Sequence, residues 1–104
     1  MVTAFELNGR KIIALNGGPM FKFNEAISLV IDCETQEEID YYWSKLTEGG
    51  EESQCGWLKD KYGLSWQVVP KILPKLLSDP SKAERVTKAF LKMKKFNIEA
   101  LQNA

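Results

Sequence analysis

The sequence predicts an α+β domain in which a mainly antiparallel sheet packs against helices on one side. Two observations lead to this class. Short stretches of alternating apolar residues occur early in the chain and again in Cys55–Pro70, and one amphipathic helical stretch, Thr35–Leu46, lies between them. After Pro70 the apolar residues recur at helical spacing, so the chain is expected to end in helices.

The beginning of the chain predicts three strands. Val2–Leu7 and Lys11–Leu15 flank Asn8-Gly9, a dipeptide that strongly favours a tight hairpin turn. The second of these strands is apolar on both faces, so we expect both faces to be covered. An apolar connector, Met20–Glu25, then leads to the third strand, Ile27–Cys33.

One helix and three shorter strands are predicted next. Thr35 and Glu38 form a capping box, and Gly49-Gly50 ends the helix. The short edge strand Glu51–Ser53 precedes the hairpin Cys55–Pro70. Aromatic residues at helical spacing pack in a core more often than they bind a ligand, and here they belong to the apolar face Ile39, Tyr42, Trp43 and Leu46.

The remainder of the chain predicts three helical segments. Lys71–Leu77 is short and amphipathic, and Asp79-Pro80 supplies an N-cap with proline at the first helical position. Asn97 is placed to cap a last short helix. Basic residues near the end of the main helix suit a solvated face that complements the helix dipole, with nucleic-acid binding as the alternative: Lys88, Lys92, Lys94 and Lys95.

Length and charge limit the classes of function. The 104 residues fit a single domain, residues 1–104. The 14 basic and 14 acidic residues cancel, which argues against non-specific binding of nucleic acid. No apolar run approaches the roughly 20 residues of a membrane span, and no signal-peptide pattern is present. We therefore expect a cytoplasmic protein without nucleic-acid or membrane partners.

The absence of histidine limits the possible chemistry. Ser–His–Asp and Cys–His catalytic arrangements are excluded within one chain. The two cysteines, Cys33 and Cys55, match no metal-binding spacing. We expect them to be reduced, buried thiols, with a redox or nucleophilic role as the alternative.

The succession of strand, helix and three strands from Ile27 to Val69 resembles the βαβββ module of the glyoxalase/bleomycin-resistance/dioxygenase superfamily, the vicinal oxygen chelate proteins. Asp60–Val68 is similar to the superfamily's Asp-x-x-Gly-x-x-x-Glu-Leu ending. More narrowly, nearly the whole chain resembles the PhnB-like group, often labelled 3-demethylubiquinone-9 3-methyltransferase domain proteins. The segments that carry this resemblance are Ala14–Gly18, Phe21–Phe23, Thr35–Glu38, Tyr41–Trp43, Gly49–Glu51, Gln54–Asp60 and Gly63–Pro70.

The resemblance implies a glyoxalase-like module with two extra N-terminal strands, C-terminal helices and a cup-shaped sheet. Complete relatives carry two modules, and here only the last two strands of the first are present, Val2–Leu7 and Lys11–Leu15. We expect either an N-terminally truncated form or a natural short form. Either would leave an apolar face and a sheet edge open. The prediction is a tight homodimer, with or without exchanged strands.

Metal-dependent relatives imply ligands on the first and last strand of each module. The corresponding positions fall near Ala26 and Ile13, which have no donor atom, and at Gln67, a poor neutral ligand. We therefore expect no metal. We also expect no cofactor, because an S-adenosylmethionine site usually lies on a doubly wound parallel sheet behind a glycine-rich turn. The stretch Asn16–Pro19 is not followed by a helix start.

These expectations favour a small-molecule-binding module that uses the concave face of the sheet. The candidate ligand-binding residues, for which core packing is the alternative interpretation, are Asn16, Ser28, Trp57, Trp66 and Gln67. A second hypothesis is an enzyme of the superfamily, either of the metal-dependent glyoxalase or dioxygenase type or the methyltransferase of the family label. A third is a chain without activity of its own. The residues identify neither the ligand nor a catalytic group.

Overall fold

The computed structural model describes all 104 residues. It contains six strands and four helices, which confirms the α+β class. In chain order the elements are β1 (Val2–Leu7), β2 (Arg10–Leu15), β3 (Ser28–Cys33), α1 (Gln36–Thr47), β4 (Glu51–Glu52), β5 (Trp57–Lys59), β6 (Ser65–Pro70), α2 (Ile72–Leu77), α3 (Ala83–Phe90) and α4 (Ile98–Gln102).

The strands form two separate sheets. β1 and β2 make an antiparallel hairpin, and the other four strands form a sheet in the order β3-β6-β5-β4. Within this sheet β3 and β6 run parallel, while the remaining pairs are antiparallel. The larger sheet is therefore mixed, because the chain crosses over through α1 before β6 returns beside β3.

The N-terminal hairpin turns where its sequence predicts. Asn8 and Gly9 have φ angles of 51° and 84°, which are the positive values that a type I′ turn requires at both central residues. The hairpin nevertheless lacks the cover expected for its apolar second strand. Every residue of β1 is exposed, and in β2 only Ile12 is partly shielded.

Helix α1 begins and ends as its sequence predicts. The Thr35 hydroxyl accepts a hydrogen bond from the Glu38 backbone N–H at 3.1 Å, which satisfies one of the unpaired donors of the first turn. Gly49 follows the helix with φ of 76°, the left-handed conformation common after a helix C-terminus. Ile39 and Trp43 are buried against the sheet, whereas Tyr42 of the predicted apolar face remains exposed.

The C-terminal helices agree with the sequence at Asn97 and differ from it at Asp79. The Asn97 side chain accepts a hydrogen bond from the Ala100 N–H at 2.9 Å and caps α4. The expectation of a helix that starts at Asp79-Pro80 is wrong, because α3 begins only at Ala83. The Asp79 carboxylate is engaged in a local turn, accepting hydrogen bonds from the backbone and hydroxyl of Ser81.

The core lies between α1, one face of the larger sheet and the C-terminal helices. All buried residues fall between Cys33 and Leu101, and the buried apolar ones form a single cluster. Phe96 is one of its largest members, and its ring lies so close to Gly56 that a side chain there would collide with it. The chain thus divides into a packed segment (residues 28–104) and an N-terminal segment (residues 1–27) that contributes no buried residue.

The molecule is elongated as a result. Its radius of gyration is 15.7 Å, whereas a compact domain of this length has a value of about 13 Å. The apolar side chains exposed on the N-terminal segment include Val2, Ile13, Leu15, Met20, Phe21, Phe23 and Ile27. None of the four helices combines the length and the apolar content that crossing a bilayer demands.

Candidate functional site

The face of the larger sheet that points away from α1 carries a row of polar side chains. Glu51 pairs with Lys59 in the register of β4 and β5, Lys59 pairs with Ser65 across β5 and β6, and Ser65 pairs with Ser28 across β6 and β3. Paired residues in a sheet point to the same side. Each of the four strands therefore contributes one polar side chain to a continuous row.

A second row lies beside the first. Trp57 of β5 pairs with Gln67 of β6, which in turn pairs with Val30 of β3. The Gln67 amide donates a hydrogen bond to the Ser28 hydroxyl at 2.8 Å and so links the two rows. Together the two rows combine a half-buried indole, an amide, two hydroxyls and two charged groups. We call this surface, formed by Ser28, Glu51, Trp57, Lys59, Ser65 and Gln67, the polar sheet face.

The connector closes over one end of the polar sheet face. The Glu25 carboxylate forms a salt bridge with the Lys59 ammonium group. The hydrogen bond within this salt bridge, together with the attraction of the Glu25 and Glu51 charges, raises the pKa of Lys59. Between Glu25 and the sheet lies a cavity of about 200 Å³, lined among others by Glu51, Trp57, Lys59 and Ser65. We call it the Glu25 cavity.

The structure brings three of the five predicted ligand residues together. Ser28, Trp57 and Gln67 lie on the polar sheet face. Trp66 points to the opposite face, where it packs against the core, and its indole N–H donates to the Asp60 carboxylate at 2.9 Å. Asn16 is exposed immediately after β2, with its backbone N–H bonded to the Met1 carbonyl oxygen.

Sequence reasoning missed three residues of the polar sheet face. Ser65 shares the alternation of Gln67 and could have been found from it, because residues two apart in a strand point the same way. Glu51 and Lys59 could not be placed in this manner. Their position depends on the pairing of β4 and β5, and no local pattern fixes which residue of one strand lies opposite which residue of the other.

The three positions that the resemblance assigns to metal ligands are occupied by Ala26, Ile13 and Gln67. Ala26 and Ile13 have no donor atom, and Ile13 lies on β2, outside the sheet that contains Gln67. Gln67 carries a neutral amide oxygen, and its N–H bonds to the Ser28 hydroxyl. Elsewhere, no group of three or more His, Cys, Asp or Glu side chains is close enough together to hold a metal ion.

Cys33 is not an activated nucleophile. Cys33 is fully buried, and desolvation, followed by the nearby charges of Glu38 and Asp32, raises the pKa of its thiol to about 11. A thiol with so high a pKa carries almost no thiolate at neutral pH. Cys55 is half-buried, and the two cysteines are both free. The prediction of burial is confirmed for Cys33, and that of reduced thiols stays a prediction.

Comparison with known proteins identifies relatives of this chain. The model of the family described as 3-demethylubiquinone-9 3-methyltransferase matches residues 1–69. The chain is 35% identical to a PhnB protein from Bacillus cereus, provisionally described as a 3-demethylubiquinone-9 3-methyltransferase, with a TM-score of 0.62. The match covers 67% of this chain and 64% of that one. No curated protein matches the chain.

A second solved structure shows the same fold at lower identity. This protein from Pseudomonas aeruginosa is 16% identical and superposes with a TM-score of 0.56 over 67% of this chain and 62% of its own. The chain thus spans slightly less than two thirds of the length of both solved relatives. The family match ends at Val69, just before the C-terminal helices that complete the core.

Proposed function

This chain belongs to the family described as 3-demethylubiquinone-9 3-methyltransferase, and from that premise we propose that it is a small-molecule-binding module of the glyoxalase type, without a family-type metal site. One observation carries the proposal: Trp57, Gln67 and Ser28 lie side by side on the polar sheet face. An indole offers a flat apolar surface to a ligand, while an amide and a hydroxyl fix its orientation.

The proposal includes a second copy of the chain. The N-terminal segment exposes Phe21 to 87% and Leu15 to 72%, with further apolar side chains around them. Soluble monomers rarely expose a large contiguous apolar surface. In the proposed homodimer this segment packs against the partner, through exchanged or unexchanged strands, and helps to enclose the polar sheet face.

Tryptophan fluorescence provides the test of ligand binding. The three tryptophans occupy different surroundings: Trp43 is in the core, Trp66 packs against the core, and Trp57 lies on the polar sheet face. Flat aromatic and quinone-like compounds should therefore quench the wild type, Trp43→Phe and Trp66→Phe, but lose most of their effect in Trp57→Phe. Quenching that survives in Trp57→Phe and disappears in Trp66→Phe would contradict the assignment of this face.

The family description favours an enzyme as the second candidate. The support for binding over methyl transfer comes from the sheet, whose only parallel pair is β3 and β6, and from Gly17-Gly18, which precede no helix. Incubation with S-adenosylmethionine and catechol-like or quinol acceptors decides between the two. Methylated product that depends on Trp57 would support the enzyme, and stoichiometric tightly bound divalent metal in the purified protein would support the metal-dependent class.

A further inference from the structure

The hydroxyl of Ser65 is buried without a hydrogen-bond partner. Ser65 has no exposed surface, and its Oγ is the one buried side-chain polar atom of the molecule that bonds to nothing. A buried hydroxyl normally has a partner, because leaving it unpaired costs about 1–3 kcal/mol. Ser65 lines the Glu25 cavity, so a group bound in that cavity could supply the missing hydrogen bond.

The Glu25 cavity is acidic. The carboxylates of Glu25 and Glu51 line it, against the single ammonium group of Lys59. Lys59 is paired with Glu25, whereas Glu51 forms no salt bridge. Glu52 pairs with Leu58, so its side chain points to the α1 face, where its carboxylate accepts a hydrogen bond from the Trp43 indole N–H at 2.9 Å. The net charge of the lining residues therefore favours a cation over an anion.

The Trp57 indole and the small volume of the cavity indicate which kind of cation fits. The indole of Trp57 also lines the cavity, and indoles attract ammonium groups through their ring faces. A volume of about 200 Å³ lies below the range of roughly 300–1,000 Å³ that accommodates drug-sized ligands. A primary ammonium group can donate three hydrogen bonds, enough for the Ser65 Oγ and two carboxylates.

We infer that the Glu25 cavity binds the ammonium end of a small amine, which donates to the Ser65 hydroxyl and to the Glu51 carboxylate beside the Trp57 indole. The inference rests on the proposed binding role of the polar sheet face and names the chemical class of one part of its ligand. The ion-paired residues Lys59 and Glu25 both line the cavity.

Three probes of similar size test whether the Glu25 cavity prefers a cationic, a neutral or an anionic ligand. Ethanolamine, ethylene glycol and glycolate have nearly the same size and differ at one end, which is cationic, neutral or anionic. Calorimetric titration of the full chain should detect ethanolamine, with the other two at least tenfold weaker. Ethanolamine affinity should fall as salt rises from 0.05 to 0.5 M, because salt screens the carboxylates. Equal binding of all three probes, or tighter binding of glycolate, would overturn the inference.

Two variants test the roles given to Ser65 and Glu51 in binding the amine. Ser65→Ala should weaken ethanolamine binding about tenfold, since a hydrogen bond from a charged donor is lost, while thermal stability stays equal or rises because no partner is removed. Glu51→Gln should weaken binding by a similar factor. The control Glu37→Gln changes the same charge at an exposed position in the first turn of α1 and should leave affinity unchanged. Unchanged affinity in Ser65→Ala would refute the role given to its hydroxyl.

The outcomes separate this inference from the proposed function. If flat aromatic ligands quench Trp57 but ethanolamine does not bind, the binding module stands and the amine site fails. If ethanolamine binds and no aromatic ligand quenches Trp57, the amine site stands and the proposed aromatic ligand class fails. If neither binds, both are refuted.

Discussion

The packed segment, residues 28–104, and the N-terminal segment, residues 1–27, both carry many apolar side chains, but only the first buries them. Ile39, Val68 and Leu101 have no exposed surface, whereas Ile13 and Phe23 are exposed to about 60% (59% and 63%). Burial of apolar side chains is the main favourable term in folding. The packed segment thus provides most of the stability of the chain, whereas the N-terminal segment leaves its apolar side chains exposed.

The C-terminal helices complete the core of the packed segment. They lie beyond the family match, yet Leu73, Val86 and Leu101 belong to the core cluster, as does Phe96 in the connection between α3 and α4. Two polar contacts fix their position: Gln36 bonds to the backbone on both sides of Asn97, and the Cys55-Gly56 turn bonds to the carbonyl oxygens of Met93 and Lys94. No comparable contact fixes the N-terminal hairpin, whose hydrogen bonds run between its own strands.

A substitution of Gly56, in the packed segment, should cause the largest loss of stability. Its φ is 81°, and an added Cβ would collide with the Phe96 ring and approach the Val68 oxygen to 2.9 Å. Gly56→Ala should lower the free energy of unfolding in urea by about 3–4 kcal/mol, combining overpacking with left-handed strain. Gly63→Ala is the matched control, because Gly63 has φ of 87° and open space around it. A loss equal to that of the control would show that Phe96 is not packed there.

Gln36 should have the next largest effect. Its amide donates to the Phe96 oxygen at 2.9 Å and accepts from the Ile98 N–H at 2.8 Å, so it ties α1 to the start of α4. Gln36→Ala should cost about 2 kcal/mol, because two backbone groups lose their partner. Gln102→Ala removes an exposed amide and should be nearly neutral. Similar losses in both variants would mean that the two Gln36 hydrogen bonds do not stabilise the fold.

Asp40 should contribute a smaller, pH-dependent amount. A hydrogen bond from Lys95 at 2.8 Å, and then one from Gln36, lower the pKa of Asp40 below its ordinary 3.8. A lowered folded-state pKa gives stability that is present above the unfolded-state pKa and is lost as the pH falls through the folded-state value. Asp40→Asn should therefore cost less than about 0.5 kcal/mol at pH 7, because the pair is exposed, and this cost should shrink as the pH falls below about 4. A difference that does not shrink with falling pH would rule out this cause.

A substitution in the N-terminal hairpin should weaken self-association and leave the stability of the monomer nearly unchanged. Ile13→Ser replaces an exposed side chain, so urea unfolding at concentrations where the chain is monomeric should change by less than about 0.5 kcal/mol. Self-association should weaken at least tenfold, because the substitution removes apolar area from the proposed contact. Thr3→Ser, on the same hairpin, is the control. A large loss of monomer stability would show that the hairpin packs within its own chain.

Local signals in the sequence predicted most of the elements. Asn8-Gly9 predicted the hairpin turn, Thr35 predicted the start of α1, and Asn97 predicted the cap of α4. Each of these signals acts within four residues, so a single stretch of chain contains it. Asp79 shows the limit of such signals, because its side chain can cap a turn as well as a helix.

The site depended on contacts that no local signal encodes. Residues distant in sequence determine the parallel pairing of Ser28 with Ser65, the alignment of Lys59 with Glu51, and the closure of Glu25 over Lys59. The resemblance to a family implied the module and its concave face. Alternation within β6 already places Trp66 on the face opposite Ser65, and only the pairing with β5 and β4 brings Ser65 beside Lys59 and Glu51.

Sedimentation equilibrium of the full chain at micromolar concentration tests the proposed homodimer. Soluble monomers rarely expose so many apolar side chains as the N-terminal segment does, and a second copy is the partner proposed for it. We predict a dimer that Ile13→Ser shifts toward monomer and Thr3→Ser does not. A wild-type chain that remains monomeric at tens of micromolar would contradict it.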